Sequence, residues 1–257
     1  MLQIGPKYGD YPLEKIVPIP GKSYGIHSDK IVIPPLGKAR GTMKIPEGFQ
    51  NQPVEAQPRS SWARARLQIL PDRKSGGDTN DALRLVLVNW SSVYGLVIRR
   101  GDLVTLANLK WIRSLPPVKK ISLHAGPTVL KMRESALQTV SLGDRQLRVL
   151  DPDRIDLYAC MYQVPYDKLI LARGESAVLP VEEASLTPEN WVGVYESVRP
   201  DIVQNASCLD KPGSNGKRVM EVRAFRHFEI RPGDRIGTLS FYESPVPLPL
   251  YTGRFNN

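Results

Sequence analysis

The sequence predicts an all-β protein built from two similar β units. Three observations support this class: short apolar runs rich in Val, Ile and Leu, 23 prolines spread along 257 residues, and two ordered internal repeats. Proline interrupts helices but is tolerated at turns and strand edges, so this chain favours short strands over long helices. With 41% hydrophobic and 24% charged residues, the composition is that of a folded globular protein.

The apolar runs are bounded by Pro, Gly, Asn and Asp, which predicts strands of a barrel or sandwich. In chain order they are residues 30–34, 82–89, 95–98, 103–106, 169–172, 219–222 and 236–241. Residues 129–140 have the spacing of an amphipathic helix and give the best helical prediction.

Two sequence repeats predict an internal duplication. Residues 98–102 (Ile-Arg-Arg-Gly-Asp) recur at 230–234 as Ile-Arg-Pro-Gly-Asp, and residues 29–33 (Asp-Lys-Ile-Val-Ile) recur at 167–171 as Asp-Lys-Leu-Ile-Leu. The offsets are 132 and 138 residues, in the same order along the chain. Chance recurrence of common turn residues is the alternative, but two ordered matches favour duplication.

The predicted boundary lies in the Pro-rich stretch 114–118, so that 1–115 and 116–257 are the two predicted β units. The net charge of +9 is uneven. Residues 1–150 hold 23 Lys+Arg and 11 Asp+Glu, whereas 151–257 hold 12 and 15. A basic first part attracts the phosphates of nucleotides or nucleic acid, although a positive surface also serves solubility.

Cysteine and histidine usage argues against several kinds of site. Cys160 and Cys208 are too few for a disulfide framework or a Cys-rich zinc site, and the three histidines have no paired ligand spacing. The first residues contain no apolar core of signal-peptide length, and no apolar run reaches the ~20 residues that span a bilayer. The sequence therefore predicts a cytoplasmic protein with no membrane contact.

Residues 59–64, Arg-Ser-Ser-Trp-Ala-Arg, form a candidate phosphate-binding segment. Arg59, Ser60, Ser61 and Arg64 place two guanidinium groups and two hydroxyls within six positions. Arginine donates to phosphate oxygens in a planar fork, and hydroxyls and backbone amides add further donors. A solvated surface turn is the alternative interpretation.

A second candidate segment runs from Asp210 to Glu221 and contains a tight turn, Pro-Gly-Ser-Asn-Gly. Period-2 alternation places Glu221 on the same strand face as Val219. A carboxyl group among apolar neighbours has a raised pKa, which suits it to general acid–base catalysis. The alternative is an ordinary hairpin turn followed by an exposed strand glutamate.

Together these two segments resemble the dCTP deaminase and dUTPase superfamily. The family's phosphate segment is Gly-Arg-Ser-Ser-Leu-Ala-Arg, and this chain has Pro58 for the glycine and Trp62 for the leucine. The deaminase nucleobase segment is Asp-Pro-Gly-Trp-x-Gly-x-Ile-x-Leu-Glu, and the chain follows it at Pro212, Gly213, Gly216, Met220 and Glu221. Residues 231–239 are similar to the family's Pro-Gly-x-x-Ile-x-x-Leu strand entry, and 251–255 to its C-terminal Tyr-x-Gly-Lys-Tyr.

The resemblance implies two tandem dUTPase-like barrels of β-clip (distorted jelly-roll) type, a homotrimer, and a pyrimidine deoxynucleoside triphosphate as substrate. It implies two catalytic carboxylates: Glu221 activates the water that attacks the cytosine ring, and Asp210 faces the sugar and orients water. The implied phosphate ligands are Arg59, Ser60, Ser61, Arg64, Tyr251 and Arg254, and the implied nucleobase and sugar pocket is formed by Pro212, Gly213, Gly216 and Val219. Magnesium accompanies the triphosphate in this family, and no zinc is expected.

The sequence departs from the family pattern at several positions. Lys211 is inserted before the Pro-Gly turn, Ser214 replaces the aromatic residue, and Ala224 stands where the family usually has Asn. The Arg-Ser-Ser segment and Glu221 also fall in different predicted units. A composite site assembled from both units is one interpretation of this division.

Two further functions compete with the enzyme. One is a non-catalytic scaffold with the same fold, either a virion or assembly subunit or a nucleotide-binding regulator. The other is nucleic-acid binding by the basic first part, which is the weaker interpretation because Trp62, Trp90 and Trp111 show no stacking platform in the sequence.

Overall fold

The computed structural model describes residues 8–47, 49, 53–72, 82–152, 155–157, 159–199, 203–205, 209–244, 248 and 250. The first strands in chain order are β1 (Tyr8–Pro12), β2 (Lys15–Pro18), β3 (Tyr24–His27), β4 (Lys30–Ile33), β5 (Lys38–Lys44), β6 (Glu55–Pro58), β7 (Leu67–Pro71), β8 (Ala82–Asn89), β9 (Gly95–Arg99), β10 (Leu103–Ala107), β11 (Lys119–His124) and β12 (Thr128–Met132). They are followed by β13 (Gln138–Leu142), β14 (Arg145–Leu150), β15 (Met161–Pro165), β16 (Leu169–Leu171), β17 (Ser176–Leu186), β18 (Trp191–Ser197), β19 (Val203–Asn205), β20 (Leu209–Asp210), β21 (Asn215–Ala224), β22 (Phe228–Ile230) and β23 (Arg235–Glu243).

Helix is scarce in the described residues, which form α1 (Ser60–Arg64), α2 (Leu109–Ser114) and a 3-10 helix at Glu134–Ala136. The predicted all-β class is therefore confirmed, and every predicted strand is present. None of the helices in the described part of the chain is long and apolar enough to cross a membrane.

The chain folds as two compact units whose segments alternate along the sequence. Unit A comprises residues 10–106 and 131–162, and unit B comprises residues 1–9, 107–130 and 163–257. The sequence-based division is a single cut near residue 115, so the two divisions differ in residues 1–9, 107–115 and 131–162.

The segment 131–162 packs with unit A because Ala136, Leu150 and Leu157 lie in the hydrophobic core of that unit. The two compact units have a similar excess of cationic residues. Unit A has 19 Lys+Arg and 14 Asp+Glu, and unit B has 16 Lys+Arg and 12 Asp+Glu. The uneven charge along the sequence is therefore not a difference between a basic and an acidic unit.

Unit A contains three sheets, with strand orders β2-β5-β8-β7, β13-β14-β9-β4-β3 and β1-β10-β6. Strand β5 shows how the sequence directs its packing: Ala39 and Met43 are buried, while the lysines at its two ends are exposed. This alternation places one face of the strand on the core and the other toward solvent.

Unit B contains a four-stranded sheet, β11-β23-β18-β20, and a two-stranded sheet, β16-β22. Its five-stranded sheet, β15-β12-β17-β21-β19, includes β12 and β15, which each cross a boundary between the units. The core lies between the sheets of the unit and includes Leu179, Met220, Val222, Leu239 and Phe241.

The two sequence repeats adopt matching local structures. The carboxylates of Asp102 and Asp234 each accept the backbone N–H three residues earlier, at 2.7 Å in both turns. The preceding Gly101 and Gly233 have φ values of +93° and +83°, a region that glycine enters without steric cost. Strands β4 and β9 pair antiparallel, as do β16 and β22 at the repeated positions. Duplication as the origin of this likeness stays a prediction.

The helix predicted over residues 129–140 is wrong. The segment forms β12, the 3-10 helix and β13, and β13 pairs along its whole length with β14. Cross-strand pairing outweighs the helical spacing of its apolar residues. Helix α2 was not predicted, although Asn108 caps it by accepting the N–H of Trp111 at 2.9 Å.

Candidate functional site

Glu221 lies in β21 and is buried, with 7% of its surface exposed. Its neighbours Met220 and Val222 point into the core of unit B, so Glu221 points from the opposite face of the sheet. It pairs across the sheet with Val178, which is also buried, and it shares its face with Val219 as predicted. The burial excludes the alternative of an exposed strand glutamate.

Asp210, the other predicted catalytic carboxylate, belongs to a buried polar cluster. Its Oδ2 accepts the Thr187 hydroxyl at 2.5 Å and lies 3.0 Å from Nη2 of Arg218. Burial raises the pKa of the Asp210 carboxyl, while the charge of Arg218 and the hydrogen bonds from Thr187 and Ser214 act in the opposite direction. The three side chains Asp210, Thr187 and Arg218 are referred to below as the Asp210 cluster.

Arg218 belongs to the candidate site but was not predicted from the sequence. Its guanidinium donates to the backbone oxygens of Ser185 at 2.8 Å and Ser214 at 2.9 Å, in addition to the ion pair with Asp210. It therefore connects the end of β17 to the turn between β20 and β21. The available signal was that a charged residue stands where the family segment has Ile.

Of the predicted pocket residues, Pro212 and Gly213 lie in the turn that joins Asp210 to β21, and Gly216 and Val219 lie in β21 itself. Gly213 and Gly216 have φ values of +75° and +115°, which explains glycine at both positions. The Gly213 N–H donates to the backbone oxygen of Thr187 at 2.8 Å, and the inserted Lys211 accepts the Ser214 N–H at 3.1 Å. The inserted residue is thus accommodated within a hydrogen-bonded turn.

Gly193 of β18 provides the space for Asp210, which lies opposite it in the sheet. A Cβ at position 193 would lie 2.8 Å from the Asp210 Cβ and 2.8 Å from Cδ1 of Leu239. We expect Gly193→Ala to destabilise unit B by about 1–3 kcal/mol, because the added methyl overpacks this site. Denaturant unfolding measures the loss, and Gly25→Ala, whose Cβ would have its nearest neighbour at 3.9 Å, is the matched control. Equal stability of the two variants would contradict the prediction.

The Arg-Ser-Ser segment forms α1 of unit A. Trp62 anchors it in the core with 2% of its surface exposed, while Ser60 is exposed and Ser61 is half-buried. Arg64 is buried. This helix was not predicted, because a helix of five residues is stabilised by its tertiary packing and not by its own length.

Arg59 precedes α1 and is held by a carboxylate. Its Nε lies 3.6 Å from Oδ2 of Asp10, and both side chains are partly exposed. Asp10 in turn accepts the Thr105 hydroxyl at 2.6 Å. A phosphate that binds Arg59 would therefore either share the guanidinium with the Asp10 carboxylate or displace that carboxylate.

The predicted site residues fall into three groups. Asp210, Glu221 and the turn between them belong to unit B, the Arg59–Arg64 segment belongs to unit A, and Tyr251 and Arg254 lie outside the described residues. The composite site inferred from the sequence stays a prediction. Within the described ranges, no group of three or more His, Cys, Asp or Glu side chains is arranged to hold a metal ion.

Neither a protein-family model nor a curated protein matches this sequence. A solved structure that does match is 2'-deoxycytidine 5'-triphosphate deaminase from Agrobacterium tumefaciens, with a TM-score of 0.62. The match covers 94% of this chain and 90% of that chain. The chain has a dCTP deaminase/dUTPase-like fold. At 15% sequence identity, the similarity shows the fold, which is the fold that the resemblance implied.

Proposed function

We propose that the protein is an enzyme acting on pyrimidine deoxynucleoside triphosphates, as a dCTP deaminase or a dUTP diphosphatase. The observation that carries the proposal is the burial of Glu221 on the sheet face that points away from its own hydrophobic core. Burial of a carboxylate is costly, so an acidic side chain kept in the interior is a candidate for function. A dCTP deaminase-like fold supports the same assignment.

In the deaminase reaction, Glu221 takes a proton from water, and the resulting hydroxide adds to C4 of cytosine. The proton is passed to the exocyclic amino group, which leaves as ammonia and leaves uracil behind. General base catalysis of this kind contributes typically about 10²- to 10⁴-fold to the rate. Arg59, Ser60, Ser61 and Arg64 bind phosphates in this proposal, and magnesium enters with the triphosphate as part of the substrate. A homotrimer is part of the same proposal.

Incubation of purified protein with dCTP or dUTP and magnesium tests the proposal, with ammonia, uracil nucleotide and pyrophosphate as the measured products. We expect Glu221→Gln to lower deamination by about 10²- to 10⁴-fold while nucleotide binding is retained, because the amide cannot accept the proton from water. Glu243→Gln, on an exposed position of β23, is the matched control and should keep full activity. If the wild-type protein converts neither dCTP nor dUTP, the proposed enzymatic function is refuted.

A non-catalytic scaffold or nucleotide-binding regulator is the second candidate, and the Asp210 cluster favours it. The Asp210 carboxylate is bound by Arg218 and Thr187, so a sugar hydroxyl would compete with two partners of its own chain. Calorimetry with dCTP and magnesium separates the candidates. Triphosphate binding that Arg59→Ala weakens, without any product, identifies a regulator, and no binding at all identifies a scaffold.

A further inference from the structure

The sheet β2-β5-β8-β7 of unit A has two chemically different faces. One face packs on the core through residues that include Ile16, Ala39, Met43, Leu85 and Leu87. The opposite face carries five cationic side chains, which are called the basic face below: Lys15, Lys38, Arg40, Lys44 and Arg84. The assignment follows from the period-2 alternation of each strand and from the registers that join the strands.

The basic face is accessible and is little neutralised. Lys15, Lys38 and Lys44 are exposed, Arg84 is half-buried, and the Arg40 side chain is 58% exposed. Among the described residues, Arg40 is the one member with an ion pair, at 3.4 Å from Asp72. Four cations of one sheet surface therefore remain available to an anionic partner.

The cations are spaced regularly. Outward-facing residues along β5 are about 6.8 Å apart, and neighbouring strands are about 4.8 Å apart. Lys15 and Arg84 lie in the same row, on either side of Thr42. A row-and-column pattern of positive charge complements a polymer with regularly repeated phosphates better than it complements a single small anion.

Apolar side chains lie between the cations on the same face. Val17 and Val86 flank Arg40 in its row, and Leu70, which follows in that row, is 36% exposed. A duplex would present mainly sugar and phosphate to a shallow sheet surface and would leave these side chains without contacts. A single strand exposes its bases as well as its phosphates, so it can use both kinds of side chain.

The corresponding sheet of unit B shows that the strand arrangement alone does not require cations. Along the chain, β5 and β8 fall between β4 and β9, and β17 and β21 fall in the same way between β16 and β22. In unit B, the pair Val178–Glu221 of β17 and β21 lies on the face away from the core, where both residues are buried and the charged one is acidic. The pair Arg40–Val86 of β5 and β8 instead contains an exposed cation. The strand order alone therefore does not account for the exposed cations of β5 and β8.

We propose that the basic face binds single-stranded nucleic acid through its phosphates, without sequence preference. This function is independent of the proposed nucleotide chemistry, because no member of the basic face belongs to the Arg59–Arg64 segment or to the Asp210 cluster. Binding by a positively charged groove or face is strongly salt-dependent, since each phosphate contact releases counterions.

The test uses the full chain and a fluorescent oligothymidylate of about 20 nucleotides, with anisotropy measured over a series of salt concentrations. The test variant combines Lys38→Gln, Lys44→Gln and Arg84→Gln. The matched control combines Arg100→Gln, Lys110→Gln and Arg145→Gln, three exposed cations outside the basic face with the same total charge change. Circular dichroism and thermal unfolding verify that both variants are folded.

We expect the wild type and the control to bind alike and the basic-face variant to lose about tenfold or more in affinity at low salt. The slope of log affinity against log salt should fall by about 2, at about 0.7 per lost phosphate contact. Absence of oligonucleotide binding by the folded wild type would overturn the proposal. An equal loss in both triple variants would do the same, as would binding confined to a DNA duplex or to phosphatidylserine vesicles.

Discussion

Arg218→Met is expected to destabilise unit B by about 3–5 kcal/mol, since it leaves the Asp210 carboxylate buried without its countercharge. The Asp210 and Arg218 side chains are only 8% and 6% exposed, so water cannot replace the lost partner. The guanidinium also donates to the backbone oxygens of Ser185 and Ser214, and both acceptors lose this donor in the variant. Urea unfolding at neutral pH measures the change.

The pH dependence of the same variant identifies the cause. Because burial raises the pKa of Asp210 above its unfolded value, protonation favours the folded state. This stabilisation is fully present below the ordinary aspartate pKa and is lost as the pH rises through the folded-state pKa. Removal of the Arg218 charge raises that pKa further, so the loss of stability should be smallest in acid and largest at neutral pH.

A double variant, Asp210→Asn with Arg218→Met, is the control for this prediction. Replacing both members of a buried ion pair is often close to neutral, whereas removing one member is not. We therefore expect the double variant to recover most of the stability that Arg218→Met loses. A double variant that is no more stable than the single one would show that the hydrogen bonds of Arg218, and not its charge, stabilise the turn.

Trp62→Ala is expected to cost unit A about 3–5 kcal/mol, the usual range for removing a fully buried aromatic side chain. Trp62 is 2% exposed and lies in the main core of the unit. Its indole N–H has no hydrogen-bond partner in the described part of the structure, so Trp62→Phe should cost far less. Thermal unfolding of the two variants gives the comparison.

The Trp62 substitutions also test whether the packing of α1 supports the proposed phosphate binding. Because Trp62 lies between the polar residues of α1, its loss should weaken triphosphate binding, and Trp62→Phe should preserve it. Trp111→Ala, at a half-buried position of α2, serves as the control and should cost less stability. Equal losses for Trp62→Ala and Trp111→Ala would mean that α1 is not anchored by its tryptophan.

Most strands could be predicted because their information is local. The run at β8 is apolar, β-branched and bounded by turn residues, and its predicted bounds are those of the structure. The helix prediction over 129–140 failed because the conformation of this segment depends on pairing with other strands, with the distant β17 for β12 and the neighbouring β14 for β13. The short helix α1 depends likewise on tertiary packing of Trp62.

The candidate site likewise has features that the local sequence predicts and features that depend on tertiary structure. The face of Glu221 follows from alternation along one strand and was predicted correctly. The pairing of Arg218 with Asp210 depends on a turn that brings β20 near β21 and on Gly193 across the sheet, which no local pattern reveals. The compact units were not predictable from the proline-rich break, because the chain returns to unit A after residue 130.

That return has a consequence for the order in which the protein can be completed during synthesis. Strand β9 pairs in parallel with β14, through Gly95 and Val149, and Val149 packs against Val97 and Val32. The carboxylate of Asp151 also forms a bidentate ion pair with Arg99. A nascent chain that ends near residue 115 therefore carries an open sheet edge and uncovered valines. Unit A reaches its final stability only after the ribosome has synthesised residues 107–130, which belong to unit B.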